Sequence, residues 1–189
     1  MTLTLRPHQT KAVKAMLRNT KGQIIIPTGG GKTMCMIDDA MNEFSRTVSS
    51  QTIVVVAPRI LLANQLSAEF LYHNLDGAAE PNVTVNVMHV HSGETHHFST
   101  TKVDEIRQFN YDTACDQKHL LIFTTYHSLH KIQESNIVVD TIYFDEAHNS
   151  VQKNFFPATE HFSHFAERCY YFTATPKHSR SPVKAGMNW

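Results

Sequence analysis

A chain of 189 residues has room for one α/β domain with a full core and not for two. Hydrophobic residues at 41% and charged residues at 18% describe a globular chain rather than a disordered one, and no stretch approaches the ~20 apolar residues of a membrane span. Lys plus Arg and Asp plus Glu both number 17, so the domain lacks the overall positive field of a tight nucleic-acid binder, though not the room for a local patch.

Pro7 suits the first turn of a helix on which Gln9, Ala12, Val13, Met16 and Leu17 recur at near-helical spacing, and Asn19-Thr20-Lys21-Gly22 stops it. The run Gln23-Ile24-Ile25-Ile26 reads as a strand. It leads through Pro27-Thr28-Gly29-Gly30-Gly31-Lys32-Thr33 into a helix from Met34 that frays near 45–47. Thr52–Ala57 is unbroken and β-branched, as in a strand covered by helices on both faces. Pro58 ends it, and an amphipathic helix follows over Ile60–Leu71.

Residues 74–82 read as a loop. Val83–Met88 alternates, which predicts a strand with one exposed face, at an edge or at the rim of the sheet. Residues 91–100 are polar and aperiodic, hence loop; 101–109 suit a short helix with Val103, Ile106 and Phe109 on one side. His119–Phe123 is a second buried strand, followed by a helical turn or two over 126–132. Val138–Phe144 is a strand ending in Asp145-Glu146-Ala147-His148. A helix around Pro157 lies within 151–165, with Phe155, Phe156, Phe162 and Phe165 as core material. Arg168–Phe172 is the last strand, and 177–189, rich in Ser, Pro, Lys and Gly, reads as a linker or tail after a domain over 1–176.

Strand, loop and helix in repeated order imply an α/β fold, a mostly parallel sheet with helices on both faces. Every chemically interesting stretch falls just past the C-terminal end of a strand, which in such a sheet is the ligand edge.

The stretch from Thr28 to Thr33 has the composition of a phosphate-binding loop. Gly29, Gly30 and Gly31 remove Cβ obstruction, so that backbone N–H groups can close around phosphate oxygens at a helix N-terminus. Lys32 would reach the β- and γ-phosphates of ATP, and the Thr33 hydroxyl would sit on Mg²⁺. The general pattern has a glycine where this chain has Ile26, a departure that a strict motif search would miss. The second half of such a site is Asp145, placed to hold Mg²⁺, and Glu146, placed to orient or activate the water attacking the γ-phosphate. The two halves meet if their strands are neighbours at one sheet edge. No arginine of the chain stands out as a finger for the γ-phosphate.

Three cysteines, Cys35, Cys115 and Cys169, are too few and too scattered for zinc and odd in number, so reduced thiols of an intracellular protein are expected. No secretory signal stands at the start. Thirteen histidines, His89, His91, His96, His97, His161 and His164 among them, lack a tight set of Cys or carboxylate partners. Solvated rings are expected rather than a metal site, and they would gain charge below about pH 6.5.

Taken in order, these motifs resemble the first RecA-like lobe of superfamily 2 helicases and translocases, over about Leu5 to Pro176. The nearest groups are DEAH-type phage DNA helicases, the helicase subunits of type I and type III restriction enzymes, and the XPB-like DNA helicases. The resemblance implies that Gln9 in Leu5-Arg6-Pro7-His8-Gln9 reads adenine with Arg6 helping. It implies that Arg59 in Ala57-Pro58-Arg59 and Thr125 in Thr124-Thr125-Tyr126-His127-Ser128-Leu129 touch the nucleic-acid backbone. His148, Thr173 and Thr175 would link the ATP site to the nucleic acid and to a second lobe. As bare residues, Arg59 is equally a helix-start arginine, Thr125 a helix cap, and Gln9 a surface residue.

The family pattern continues with a second RecA-like lobe that carries the arginine finger. The expectation is therefore the ATP-binding lobe of a nucleic-acid-dependent motor, a cytoplasmic protein (a phage protein in its host included), binding ATP and Mg²⁺ but turning ATP over very slowly alone. An ATP-dependent DNA helicase acting through backbone contacts is the first reading, with RNA not set aside. A duplex-DNA translocase subunit of a restriction enzyme, or a catalytically silent ATP-binding module, are the alternatives.

Overall fold

The computed structural model describes residues 4–73 and 84–175. The expected loop over 74–82, the first residue of the expected strand at Val83, Pro176 and the expected tail over 177–189 lie outside them. In chain order the elements are α1 (Pro7–Arg18), β1 (Lys21–Ile25), α2 (Lys32–Arg46), β2 (Thr52–Ala57), α3 (Ile60–His73), β3 (Val85–Val90), β4 (Phe98–Ser99), α4 (Val103–Cys115), β5 (His119–Thr125), α5 (Leu129–Ser135), β6 (Thr141–Phe144), α6 (Phe156–Phe165) and β7 (Arg168–Thr173), with a 3₁₀ turn at Ala147–Asn149.

All described strand pairs are parallel, and the seven strands stand in the order β1-β7-β6-β2-β5-β3-β4. The continuous apolar run of β2 places it at the centre, with all six residues buried. Side chains alternate across a strand. Ile53, Val55 and Ala57 therefore face α1, α2 and α3, where they meet Met16, Met36, Phe44, Leu66 and Phe70. Val54 and Val56 face the other way, toward Ile106 of α4, Leu129 and Ile132 of α5, and Phe162 of α6. Each face burying its own apolar layer is what holds helices to both sides. This is the RecA-like arrangement of the P-loop nucleoside triphosphatases.

The structure changes the expectations for β3, α4 and the stretch 91–100. The alternation of β3 was read as one exposed face, yet Met88 on that face is fully buried and Asn86 Nδ2 donates to Thr113 Oγ1 of α4 at 3.1 Å. Helix α4 runs to Cys115, past the expected 109, and so covers that side. The stretch 91–100 is not wholly loop, because Phe98 and Ser99 pair with Met88 and His89 as β4.

The histidines are not all solvated. His89 is fully buried and His91 nearly so. The Gly93 N–H donates to His91 Nδ1 (3.1 Å), so the neutral His91 ring carries its proton on Nε2 and donates to His89 Nδ1 (3.0 Å); His89 Nε2 then donates to Ser67 Oγ (3.1 Å). Both rings are fully satisfied while neutral, which is why they tolerate burial. Burial pushes the His89 pKa down to about 4 and that of His91 down as well. Among the described residues no group of three or more His, Cys, Asp or Glu side chains could hold a metal ion.

Arg168 opens β7, at the end of the sheet opposite the strand C-termini. Its guanidinium is clamped by the fully buried Asp39 of α2, with Nη1 to Oδ2 at 2.8 Å and Nη2 to Oδ1 at 2.7 Å. The Tyr143 hydroxyl donates to the same carboxylate at 2.5 Å, and Glu43 lies 3.3 Å from Arg168 Nη1.

Candidate nucleotide site

Ile25 ends β1, but the chain stays tied to its neighbour for one residue more: the Ile26 N–H donates to the Thr173 carbonyl at 3.1 Å. The loop then turns sharply. The Gly30 N–H donates to the Pro27 carbonyl at 2.8 Å, and Gly29 and Gly31 take positive φ of 77° and 81°. Gly31 is the N-cap of α2, so the helix starts at Lys32 and not at Met34. A Cβ on Gly31 would run into the Gln9 amide, and one on Gly30 into Ile26 and the Pro27 carbonyl. The three glycines are thus fixed by conformation and by close approach. Thr28 and Gly29 form the exposed outer turn, while Lys32 and Thr33 are half-buried on the first turn of α2.

Gln9 is buried beneath this loop. Its Oε1 accepts the Arg6 N–H at 2.7 Å, and its Nε2 donates to the carbonyls of Gly31 (3.1 Å) and Gly30 (3.3 Å). His8 Nε2 donates to the same Gly30 carbonyl at 2.8 Å. Helix α1 therefore holds the glycine loop by its main chain, and Arg6 stands exposed at the start of that helix.

The acidic half lies at the end of β6. The Asp145 N–H donates to the Val56 carbonyl at 2.8 Å, continuing the ladder one residue past the strand. Glu146 then takes a left-handed φ of 46°, an uncommon conformation for a residue with a Cβ. The two halves meet although β7 intervenes between their strands: Lys32 Nζ lies 2.5 Å from Glu146 Oε1. Burial raises the Asp145 carboxyl to about pKa 6, opposed by the positive charge of Lys32 and reinforced by Glu146. Glu146 Oε2 is 3.5 Å from His148 Nδ1, and that nitrogen is 3.5 Å from Thr173 Oγ1. Thr173 Oγ1 also takes the Thr175 N–H at 3.2 Å. Lys32, Glu146, His148, Thr173 and Thr175 are thereby one connected set.

Arg59 follows β2 and Thr125 ends β5; the two strands are paired with Ala57 opposite Thr125, so both residues lie at the same rim. Arg59 is exposed at the start of α3. Thr125 is buried, and its hydroxyl accepts the Ser128 N–H at 3.3 Å within the turn before α5, whose N-cap is Ser128 and not Thr125. Three of the arginines are already engaged by carboxylates, Arg46 by Glu43, Arg107 by Asp104, and Arg168 by Asp39.

The donor set suits Mg²⁺. Asp145 and Thr33 offer hard oxygen ligands, and a cation that keeps waters and shares substrate phosphates needs no larger cage of protein ligands. Sequence reasoning did not single out His8 or Tyr126. The Tyr126 hydroxyl donates to the Asp145 carbonyl at 2.7 Å.

Residues 2–178 match the family described as type III restriction enzyme, res subunit. No curated protein matches the chain. Among solved structures, 97% of the chain aligns with 19% of a nuclease-deletion mutant of the type ISP restriction-modification enzyme LlaGI in complex with a DNA substrate mimic, at a TM-score of 0.79 and 23% identity. The ATP-dependent type ISP enzyme LlaBIII bound to DNA aligns over 97% of this chain and 13% of its own, at 0.76 and 21%. The UvsW helicase of bacteriophage T4 aligns over 98% of this chain and 58% of its own, at 0.70 and 12%. At these identities the likeness is one of fold. The chain spans between 13% and 58% of the length of these structures.

Proposed function

The chain belongs to the type III restriction enzyme res subunit family, within the superfamily 2 helicases and translocases, and on that premise we propose that it is the ATP-binding lobe of a duplex-DNA translocase. The observation that carries the proposal is the 2.5 Å approach of Lys32 to Glu146, because it unites the phosphate loop and the acidic strand end in one pocket. With nucleotide bound, Lys32 leaves Glu146 for the β- and γ-phosphates. Glu146 is then free to orient, or take a proton from, the water that attacks the γ-phosphate. Thr33 and Asp145 would hold Mg²⁺, which would supply positive charge against the phosphate oxygens. Gln9 fixes the loop main chain from below, and Arg6 lies on the adenine side.

Arg59 and Thr125 meet the DNA backbone at the neighbouring strand ends, where such contacts fix position without reading sequence. His148, Thr173 and Thr175 carry the state of the γ-phosphate toward a second lobe. That lobe supplies an arginine to the γ-phosphate. Tested without that partner lobe, the lobe over 1–176 is a slow ATPase, since such an arginine contributes roughly 10³–10⁵ in rate where present. A cytoplasmic setting accords with the reduced cysteines.

Translocation on duplex is preferred over strand separation because two of the similar structures are restriction-modification enzymes on DNA or a DNA mimic. The likeness to a phage helicase favours unwinding as the second reading. The two are separated in the complete natural protein by paired assays, ATP-driven displacement of a triplex-forming strand and ATP-driven opening of a forked duplex. Displacement without opening is the expected result; opening of the fork supports the second reading, and neither activity alongside intact ATP binding supports a silent module.

A further inference from the structure

Tyr126 stands between the candidate nucleic-acid contacts and the acidic strand end, at the same rim, and belongs to neither. It follows Thr125 directly, and two hydrogen bonds tie it to the ends of β2 and β6, with a third joining those two ends. The Tyr126 N–H donates to the Ala57 carbonyl at 3.2 Å, the Asp145 N–H to Val56 at 2.8 Å, and the Tyr126 hydroxyl to the Asp145 carbonyl at 2.7 Å. The ring is 2% exposed, stacked on Phe144 at 6.0 Å and packed on Phe155 at 5.8 Å.

The acceptor is what gives this bond its leverage. The Asp145 carbonyl belongs to the peptide plane that joins Asp145 to Glu146, and the rotation of that plane sets ψ at Asp145 and the left-handed φ of 46° at Glu146, hence the direction of one side chain relative to the other. A hydrogen bond to the plane offsets the strain of that conformation and fixes the two carboxylates relative to each other. We infer that Tyr126 is a positioning residue for the Asp145–Glu146 pair, tying the backbone-contact turn at Thr125 to the Mg²⁺ and water-orienting carboxylates through a single hydroxyl. The inference rests on the ATP-lobe reading, and the coupling is reciprocal: DNA held at Thr125 strengthens Mg²⁺ binding, and Mg²⁺ strengthens DNA binding by the same factor.

The test is the Mg²⁺ dependence of binding of a fluorescent ATP analogue to the chain, with and without a short DNA duplex. Tyr126→Phe keeps the ring and its packing and removes only the donor. It is expected to raise the half-saturating Mg²⁺ concentration about fivefold or more, to leave Mg²⁺-free analogue binding unchanged, and to abolish the effect of DNA on the Mg²⁺ midpoint. Phe155→Leu loosens the ring's packing but keeps the hydroxyl, and is expected to leave the Mg²⁺ midpoint where it was. An unchanged midpoint in Tyr126→Phe, or an equal rise in Phe155→Leu, overturns the inference while leaving the ATP-lobe reading standing. An absence of any DNA effect on the wild-type midpoint overturns the coupling irrespective of how either variant folds. A wild-type chain that shows no Mg²⁺-dependent binding refutes the ATP-lobe reading and removes the basis of this inference with it.

Discussion

Arg168→Met strips the guanidinium from a carboxylate that has no access to water. Asp39 is fully buried and accepts two bonds from Arg168, at 2.7 and 2.8 Å, besides the one from Tyr143. Methionine fills much of the same volume, so the dominant loss is electrostatic: a buried carboxylate retains its desolvation cost and loses its counter-charge, with Glu43 close beside it. Breaking a buried pair from one side costs about 3–5 kcal/mol. For a domain of this size each kcal/mol lowers the melting temperature by roughly 2–4 °C, so a fall of roughly 6–20 °C is expected.

Because the pair sits at the end of the sheet away from the nucleotide site, binding of Mg·ATP at low temperature should survive the change. The double variant Asp39→Leu with Arg168→Met removes both charges and should recover most of the loss, short of the Tyr143 hydroxyl left without its acceptor. Circular-dichroism melts of the wild type, both single variants and the double variant measure this. A single variant melting within 2 °C of the wild type, or a double variant worse than the sum of the singles, would refute the reasoning.

Gly31→Ala forces a Cβ onto a residue at φ 81° and into the Gln9 amide, so it should cost ~1–3 kcal/mol at that position and weaken nucleotide binding by at least tenfold in a fluorescence titration. Gln9→Ala removes both bonds from its Nε2 to the loop carbonyls and should weaken ATP roughly tenfold; an equal loss for GTP marks a loop-holding role, and a loss confined to ATP marks adenine reading. The Asp145 carboxyl is raised from 3.8 to about 6 in the folded state, so the fold binds its proton more tightly than the unfolded chain does, and stability falls as pH rises through that window. Asp145→Asn should therefore raise the nucleotide-free melting temperature at pH 7–8 and confer no gain near pH 4, while wild-type affinity for Mg·ATP should climb as pH passes about 6.

Sequence served best where one local cause governs structure. The unbroken β-branched run at 52–57 could only be a strand covered on both sides, and Gly29–Lys32 between a strand and a helix left one conformation open. It served poorly where the partner lies far along the chain. The alternation of β3 suggested a wet face because α4, whose Thr113 takes the Asn86 amide, had been ended too soon. His89 and His91 looked like solvated rings because their satisfaction depends on Ser67, 22 residues before His89, and on a local turn at Gly93. Arg168 could not be assigned because Asp39 is 129 residues away. Tyr126 read as a ring on a helical turn, and nothing in its neighbourhood announces that its hydroxyl meets a main-chain carbonyl 19 residues on. Of the candidate site, the meeting of the glycine loop with Asp145-Glu146 was legible, whereas the direct closure of Lys32 on Glu146 across an intervening strand was not.

The central claim is that the phosphate loop and the acidic strand end form one nucleotide pocket, and calorimetric titration of the chain with ATP in the presence and absence of Mg²⁺ tests it most directly. One nucleotide per chain should bind, more tightly with Mg²⁺, with binding weakened strongly by Lys32→Ala and the Mg²⁺ advantage lost in Asp145→Ala. A folded chain that takes up no Mg·ATP at millimolar concentration, or a Lys32→Ala variant that binds as the wild type does, would contradict it.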